Sequence, residues 1–451
     1  MIKSLYFMNI MNYTFLVIFC CMFAILFLFF PITYFLAGSV IISLAIFVVL
    51  KPKIGLYILV FILSWRGLLV GQGFLLGSYM SDAGGVINIF ITIMGLLYIV
   101  INKKNIFTYK LAAVYSVFLL ISLMSCFFSR DILLSFRFFF RMLTPFWVSI
   151  ICFHEITTLN DAKRISNLIL LAAVVPIVWG IVESFLNLQS QYRISSIFGH
   201  PNPFSFYLLL ILAIIFTRTI TEKSYFRKIF DLIVVIIVIC LIILTYCRIS
   251  WIALFINLTV IPLMFKKKSY IFLGLLSCII LVSFNILHVS ERLVELTGFI
   301  QKGDFFDTAN SIGWRFKAWD LTIDEFIKRP LFGYGLRSHF NLLHSLYGIK
   351  TSIHNSYLEI LYDMGCIGFF FFAVFLATLI KACVTWIKRQ RINALSQEHM
   401  SYMAICCVVV LSYLIIMISD NILEYYDIGA LYWIIFAVGF KFIYLQDRHQ
   451  I

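Results

Sequence analysis

The sequence predicts an all-α, polytopic membrane protein of about 12–14 transmembrane helices, with one large, partly helical loop on the outer side. Three observations carry that prediction. Of 451 residues, 63% are apolar and only 12% charged, with a mean hydropathy of +1.02, whereas soluble domains are nearer half apolar and a quarter charged. The apolar residues fall in long runs separated by charge clusters, which indicates helices rather than a barrel. The basic residues alternate between the two sides in the way that sets membrane topology.

Taken in order, the apolar runs place candidate spans near 13–30, 32–50, 54–70, 85–101, 111–128, 142–153, 165–185, 204–217, 230–246, 249–265, 270–287, 356–379, 402–419 and 429–445. The first run has little positive charge before it and no small-x-small cleavage site after it, so it is expected to be a retained span. With the N-terminus inside, the inner loops and both termini collect 15 Lys and 6 Arg, while the outer half holds 10 Arg and 4 Lys. Lysine inside is the ordinary topological signal. The outer arginines fit either that same bias or bidentate binding of phosphate oxygens. The net charge of +14 suits anionic lipid or an anionic substrate, and no soluble domain offers a basic face to nucleic acid.

Residues 289–353 form the one long outer segment and divide the chain into an N-terminal bundle (1–288), this loop, and C-terminal spans (354–451). Within the loop, SIGWRFKAWDLTIDEFIK puts Trp314, Ala318 and Leu321 on one stripe beside Trp319, Ile323 and Phe326, the pattern of an amphipathic helix. Pro330 is expected to end it, and LFGYG to turn the chain. The eleven cysteines are scattered without a C-x-x-C pair; they read as small core hydrophobes, and a Cys247–Cys366 disulfide is not expected.

The chemistry concentrates at a few positions. Arg248 is the lone charge between Leu232 and Phe265. Those 34 residues would extend about 51 Å as one helix, so they must be two, with a turn near Tyr246–Ser250 on the outer side. Arg248 there is either an anion site in a hydrated cavity or a snorkelling arginine. His354 stands where the long loop re-enters the membrane; it reads as an interfacial residue or as a proton acceptor, since imidazole titrates near about 6.5. Glu359 and Asp363 follow on one helical face, with Gly365 and Gly368 available for close helix contact.

Arg315, Lys328, Arg329 and Arg337 fit either the solvated face of an amphipathic helix or a role in binding; the solvated reading is favoured for Lys328 and Arg329, and Arg315 fits both equally. In FGHPNPF, Asn202 and Pro203 read as N-cap and N1 of a helix, and His200 is a candidate cavity residue. Arg130, Arg137 and Arg141 are expected at lipid headgroups. There is no P-loop, H-E-x-x-H, D-x-D or G-x-S-x-G, and the histidines lack zinc spacing. The simplest remaining chemistry uses Arg and His, with no metal and no cofactor.

YCRISWIAL, then GWRFKAWDLTIDEFIKRPLFGYG in a long outer loop, then HNSYLEILYDMGCIG together resemble the O-antigen ligase/polymerase family of bacterial membrane glycosyltransferases, over roughly residues 190–385. The membrane-border arginine matches Arg248, the loop's Arg-x-x-x-Trp matches Arg315 and Trp319, and the histidine opening the post-loop helix matches His354. Cys247 stands where relatives often have serine. The resemblance implies a C-type glycosyltransferase at the periplasmic face of the inner membrane. It would move an undecaprenyl-diphosphate-linked glycan in one block, without a metal.

Arg248, helped by Arg315, would then hold the diphosphate, and His354 would activate the acceptor hydroxyl. Glu359, Arg337 and His200 would be supporting residues, with Glu359 a weak candidate to orient His354. Implied partners are the lipid-linked donor, a lipid-linked glycan or lipid A-core acceptor, membrane lipids and a chain-length regulator. Three acceptors stay open: another lipid-linked repeat unit (a polymerase), lipid A-core (a ligase), or protein Ser/Thr. A transporter of lipid-linked sugars is the non-enzyme alternative, for which internal repeats would be expected.

Overall fold

The computed structural model describes residues 50–70, 83–186, 193–284, 311–347, 352–392 and 396–447. The two N-terminal candidate spans and residues 289–310 of the loop lie outside these. Among the described residues there are helices and no strands. They are α1 (Pro52–Val70), α2 (Ala83–Ile101), α3 (Lys110–Cys126), α4 (Ile132–Glu155), α5 (Leu159–Ala172), α6 (Val174–Leu186), α7 (Pro201–Thr221), α8 (Tyr225–Leu244), α9 (Arg248–Met264), α10 (Ser269–Phe284), α11 (Ser311–Lys328), α12 (His339–Tyr347), α13 (Ser356–Ile392), α14 (Gln397–Ser419) and α15 (Tyr426–Asp447).

Among the described residues, six stretches are long and apolar enough to cross a membrane: α4, α5 with α6, α7, most of α13, α14 and α15. Helices α3, α9 and most of α2 are shorter apolar ones. The fold class is therefore as predicted. Helices α4, α7, α14 and α15 are mostly buried inside the bundle, whereas α5–α6 and α13 leave much of their apolar surface outward. Outward leucine, valine and phenylalanine cost nothing where the solvent is hydrocarbon.

Local sequence explains the helix limits. Asp131 caps α4 by accepting from the Leu134 amide at 3.0 Å. Thr158 and Asp161 form a capping box at α5, and Asp161 also pairs with Lys53 at 3.0 Å, tying α1 to α5. Between α8 and α9 the chain turns through Tyr246, at φ +49°, where the length of the apolar run requires a break. The eight cysteines recorded as free, Cys247 and Cys366 among them, form no disulfide.

Two expectations about helix geometry are corrected. Helix α7 starts at Pro201, with His200 rather than Asn202 as its N-cap; the His200 Nδ1 accepts from the Asn202 amide at 3.2 Å. Gly365 is not a helix-contact glycine but a break inside α13, at φ +64°. A Cβ there would collide with the Leu331 carbonyl, because the LFGYG segment docks against the break. The Cys366 amide donates to the Pro330 carbonyl at 2.7 Å, and the Gly335 amide to the Asp363 carbonyl at 2.8 Å. This docking brings Arg337 and His339 of the loop against Glu359 and Asp363 of α13.

Candidate active site

The polar residues of this end of the bundle form two groups. The first centres on Asp420, the residue that closes α14, whose side chain is almost fully buried. Its carboxylate accepts from the Asn421 amide at 2.8 Å, from the Tyr425 hydroxyl at 3.2 Å and from the Asn202 side-chain amide. Its backbone carbonyl accepts from Ser356 at 3.0 Å, which fixes the start of α13 beside it.

His354 lies two residues before α13. Its Nδ1 is 3.7 Å from Asp420 Oδ1, longer than a hydrogen bond and close enough to couple the charges, and its side chain is 27% exposed. Its backbone has φ +52°, a conformation few non-glycine residues adopt, and such outliers cluster at functional sites. Trp314 of α11 presents its ring edge-on at 6.3 Å. Trp319 donates to the Ile353 carbonyl at 2.8 Å, holding α11 over the segment that carries His354.

Arg193 extends the network toward Arg248. It donates to the Asn202 side-chain oxygen at 2.8 Å and to the Thr245 carbonyl at 2.9 Å. A continuous path thus runs from the turn before α9 through Arg193, Asn202 and Asp420 to His354. Arg248 is the first residue of α9 and half-buried. The first turn of that helix is pinned to α7 by a 2.6 Å hydrogen bond between the Ser250 and Ser205 hydroxyls.

Electrostatics confirm the grouping. Burial pushes the Asp420 carboxyl up, but the facing His354 and the Arg315 guanidinium outweigh it and hold it below the usual carboxylate range. His200 is held below the ordinary imidazole value by burial, and the charges of Arg193, His354 and Arg315 add to that against the opposing pull of Asp420. Arg315, half-buried in the second turn of α11, therefore acts on the same small volume as His200, His354 and Asp420.

The second group is closed. Arg337 Nη1 contacts Glu424 Oε1 at 2.6 Å and Glu359 Oε1 at 3.4 Å. His339, fully buried, lies with Nδ1 2.9 Å from Asp363 and Nε2 3.2 Å from Glu359. The Arg337 guanidinium also stacks over Phe340 at 3.7 Å. Glu359 is thus engaged with Arg337 and His339, and the carboxylate facing His354 is Asp420. Both carboxylates of that helix face meet the inserted loop: Glu359 contacts Arg337 and His339, and Asp363 accepts from the backbone amides of Arg337 and His339 as well.

His339, Glu359 and Glu424 offer ligand atoms within 4.8 Å of one another, a spacing that can gather a cation. Arg337 already supplies a positive charge among them, so a metal there would have to displace its guanidinium. Arg141 also departs from expectation. It is half-buried beside the Tyr426 ring, 5.9 Å from its centroid, rather than at headgroups; Arg130 and Arg137 are exposed.

By fold and site this is a polytopic helical membrane protein with a histidine–carboxylate pair at one end of its bundle and several guanidinium groups around it. Residues 233–373 match the family model described as O-antigen ligase, which supports the resemblance to the O-antigen ligase/polymerase family. Members of that family are glycosyltransferase-like enzymes of the ligase and polymerase type that act on lipid-linked glycans. No curated protein matches the chain. The matched stretch contains Arg248, Arg315, Arg337, His354 and Glu359, and leaves out His200 and Asp420.

Proposed function

We propose that the protein is a polymerase of O-antigen or a related surface polysaccharide. It would transfer an undecaprenyl-diphosphate-linked glycan in one block to a sugar hydroxyl of another lipid-linked repeat unit. The reaction takes place at the periplasmic face of the inner membrane and needs no metal. The observation that supports this most is the partly exposed His354 facing the buried, charged Asp420, in a volume also reached by the Arg315 charge.

In this reading the acceptor hydroxyl oxygen attacks the anomeric carbon and gives its proton to the exposed ring nitrogen of His354, while Asp420 holds the other nitrogen. The carbon–oxygen bond to the diphosphate breaks, and the electron pair leaves with the diphosphate. Arg248, assisted by Arg315, meets the growing negative charge; a fixed guanidinium in a poorly hydrated site is suited to that task. Glue for the site comes from Arg193 and Asn202.

A second reading, transfer to lipid A-core, is favoured by the family's description as O-antigen ligase. A deletion strain separates the two. Core carrying a single repeat unit identifies a polymerase, and bare core with accumulated lipid-linked polymer identifies a ligase. Vesicles holding purified protein and lipid-linked donor test the class itself: glycans that neither lengthen nor change acceptor, with lipid merely relocated, would point to a transporter instead.

A further inference from the structure

We infer that the end of the bundle opposite His354 carries a binding site for the headgroup of an anionic phospholipid. A cavity of about 490 Å³ opens there between α5, α7, α8 and α14. Helix α7, with 21 residues, separates it from the Asp420 network by about 30 Å at 1.5 Å per residue. Four basic residues line the cavity, Lys163, Arg218, Lys223 and Arg227, against two acidic ones, Glu222 and Glu398.

The bases differ in what they can offer. Arg218 is committed to the buried Asp231 through two hydrogen bonds, from Nε at 2.8 Å and from Nη2 at 2.5 Å. Lys163, Lys223 and Arg227 are exposed, so they are placed to meet an incoming anion. The first turns of α5, α8 and α14 also meet at this cavity, since Leu159, Arg227 and Gln397 line it. The α5 and α14 ends are capped by Thr158 and Ser396, so the exposed basic side chains carry the attraction for an anion there. At the start of α8 the Glu222 carboxylate accepts from the Lys223 and Ser224 amides at 3.0 and 2.9 Å, so an incoming anion would meet the basic side chains rather than that helix end.

The walls indicate a lipid rather than a free anion. Leu170 and Ile214 continue the cavity along the apolar helices. Beside the rim, Tyr225 and Phe226 are 72% and 84% exposed, the position of aromatic residues at a membrane–water boundary. Leu171, on the helix above, faces outward. Basic residues at such a boundary attract anionic headgroups. The site rests on none of the residues assigned to transfer.

The test uses the full-length protein in a neutral detergent, with native mass spectrometry after addition of phosphatidylglycerol or phosphatidylcholine at equal concentration. The protein is expected to retain phosphatidylglycerol preferentially, and excess inorganic phosphate should not displace it. The triple variant Lys163→Gln, Lys223→Gln, Arg227→Gln should lower that preference by roughly tenfold or more. A control variant, Lys103→Gln, Lys110→Gln, Lys268→Gln, should keep it. Arg227→Gln alone provides a milder variant with a smaller loss in the same direction, for use if the triple does not fold. Equal retention of the two lipids, displacement by phosphate, or equal loss in the control would overturn the site.

Discussion

The two polar groups at the site end are built from the same side-chain types and differ in closure. Around Arg337, every charge has a partner within 3.4 Å, and His339 and Glu359 are buried. Around Asp420, the carboxylate is buried and well held, but the histidine facing it stands 3.7 Å away and is open to the outside. A closed ion cluster spends its interaction energy on holding chain segments together; a pair with slack and an open face can accept a substrate and tighten on it. The difference separates a structural role from a catalytic one more sharply than residue type does.

Activity and stability measurements on single variants can break that contrast. The largest effect is expected at His354→Ala, about 10²–10⁴-fold in kcat, with the protein still inserted and its thermal unfolding little changed. Full activity would make His354 structural. Arg248→Ala should abolish transfer in the vesicle assay, and Arg248→Lys should also be strongly impaired because a lysine cannot reproduce bidentate contact; near-normal turnover by the lysine variant would reduce Arg248 to a generic charge.

The closed cluster should respond in the opposite way. Arg337→Ala leaves Glu424 without its 2.6 Å partner and Glu359 with His339 alone, and breaking a buried pair typically costs about 3–5 kcal/mol. The expected readout is a lower unfolding temperature and lower yield, with activity per folded molecule largely kept. If instead Arg337→Ala folds normally and loses activity, the two groups have been assigned the wrong way round. Asp420→Asn should fall between these extremes, lowering kcat less than His354→Ala because it acts through that histidine.

How much of this was legible in the sequence depends on the range of the interaction concerned. Among the described residues, hydropathy and length placed the apolar helices and required the break before Arg248, because a helix's reach is a local property. Periodicity found α11, since Trp314 and Ala318 repeat at helical spacing. Asp420 escaped because its partners are remote in sequence: Asn202 is 218 positions away and no periodic pattern links them. A weaker signal was present. From Ser401 to Phe440, the charged residues are Asp420, Glu424 and Asp427, all acidic and all beside a span end, which is costly unless something basic meets them. The kink at Gly365 was hidden for a related reason, because a glycine between apolar residues reads equally as a contact point and as a break.

The smallest expected effect concerns pH and the closed cluster. Burial alone would lower the His339 imidazole, but Asp363 and Glu359 outweigh it, and the opposing Arg337 charge, and raise it above its ordinary value. A group whose folded pKa is raised contributes stability that is fully present below its unfolded value, about 6.5. That contribution is lost as pH climbs through the folded value. The unfolding temperature of the wild-type protein in detergent should therefore decline as pH rises above neutrality, and the decline should be shallower in His339→Gln. The transfer rate of the same variant, normalised to folded protein, should follow wild type, because His339 faces Asp363 and Glu359 and not the substrate side. A variant whose stability is indifferent to pH and whose transfer rate collapses would move His339 into the catalytic group and erase the distinction between the two clusters.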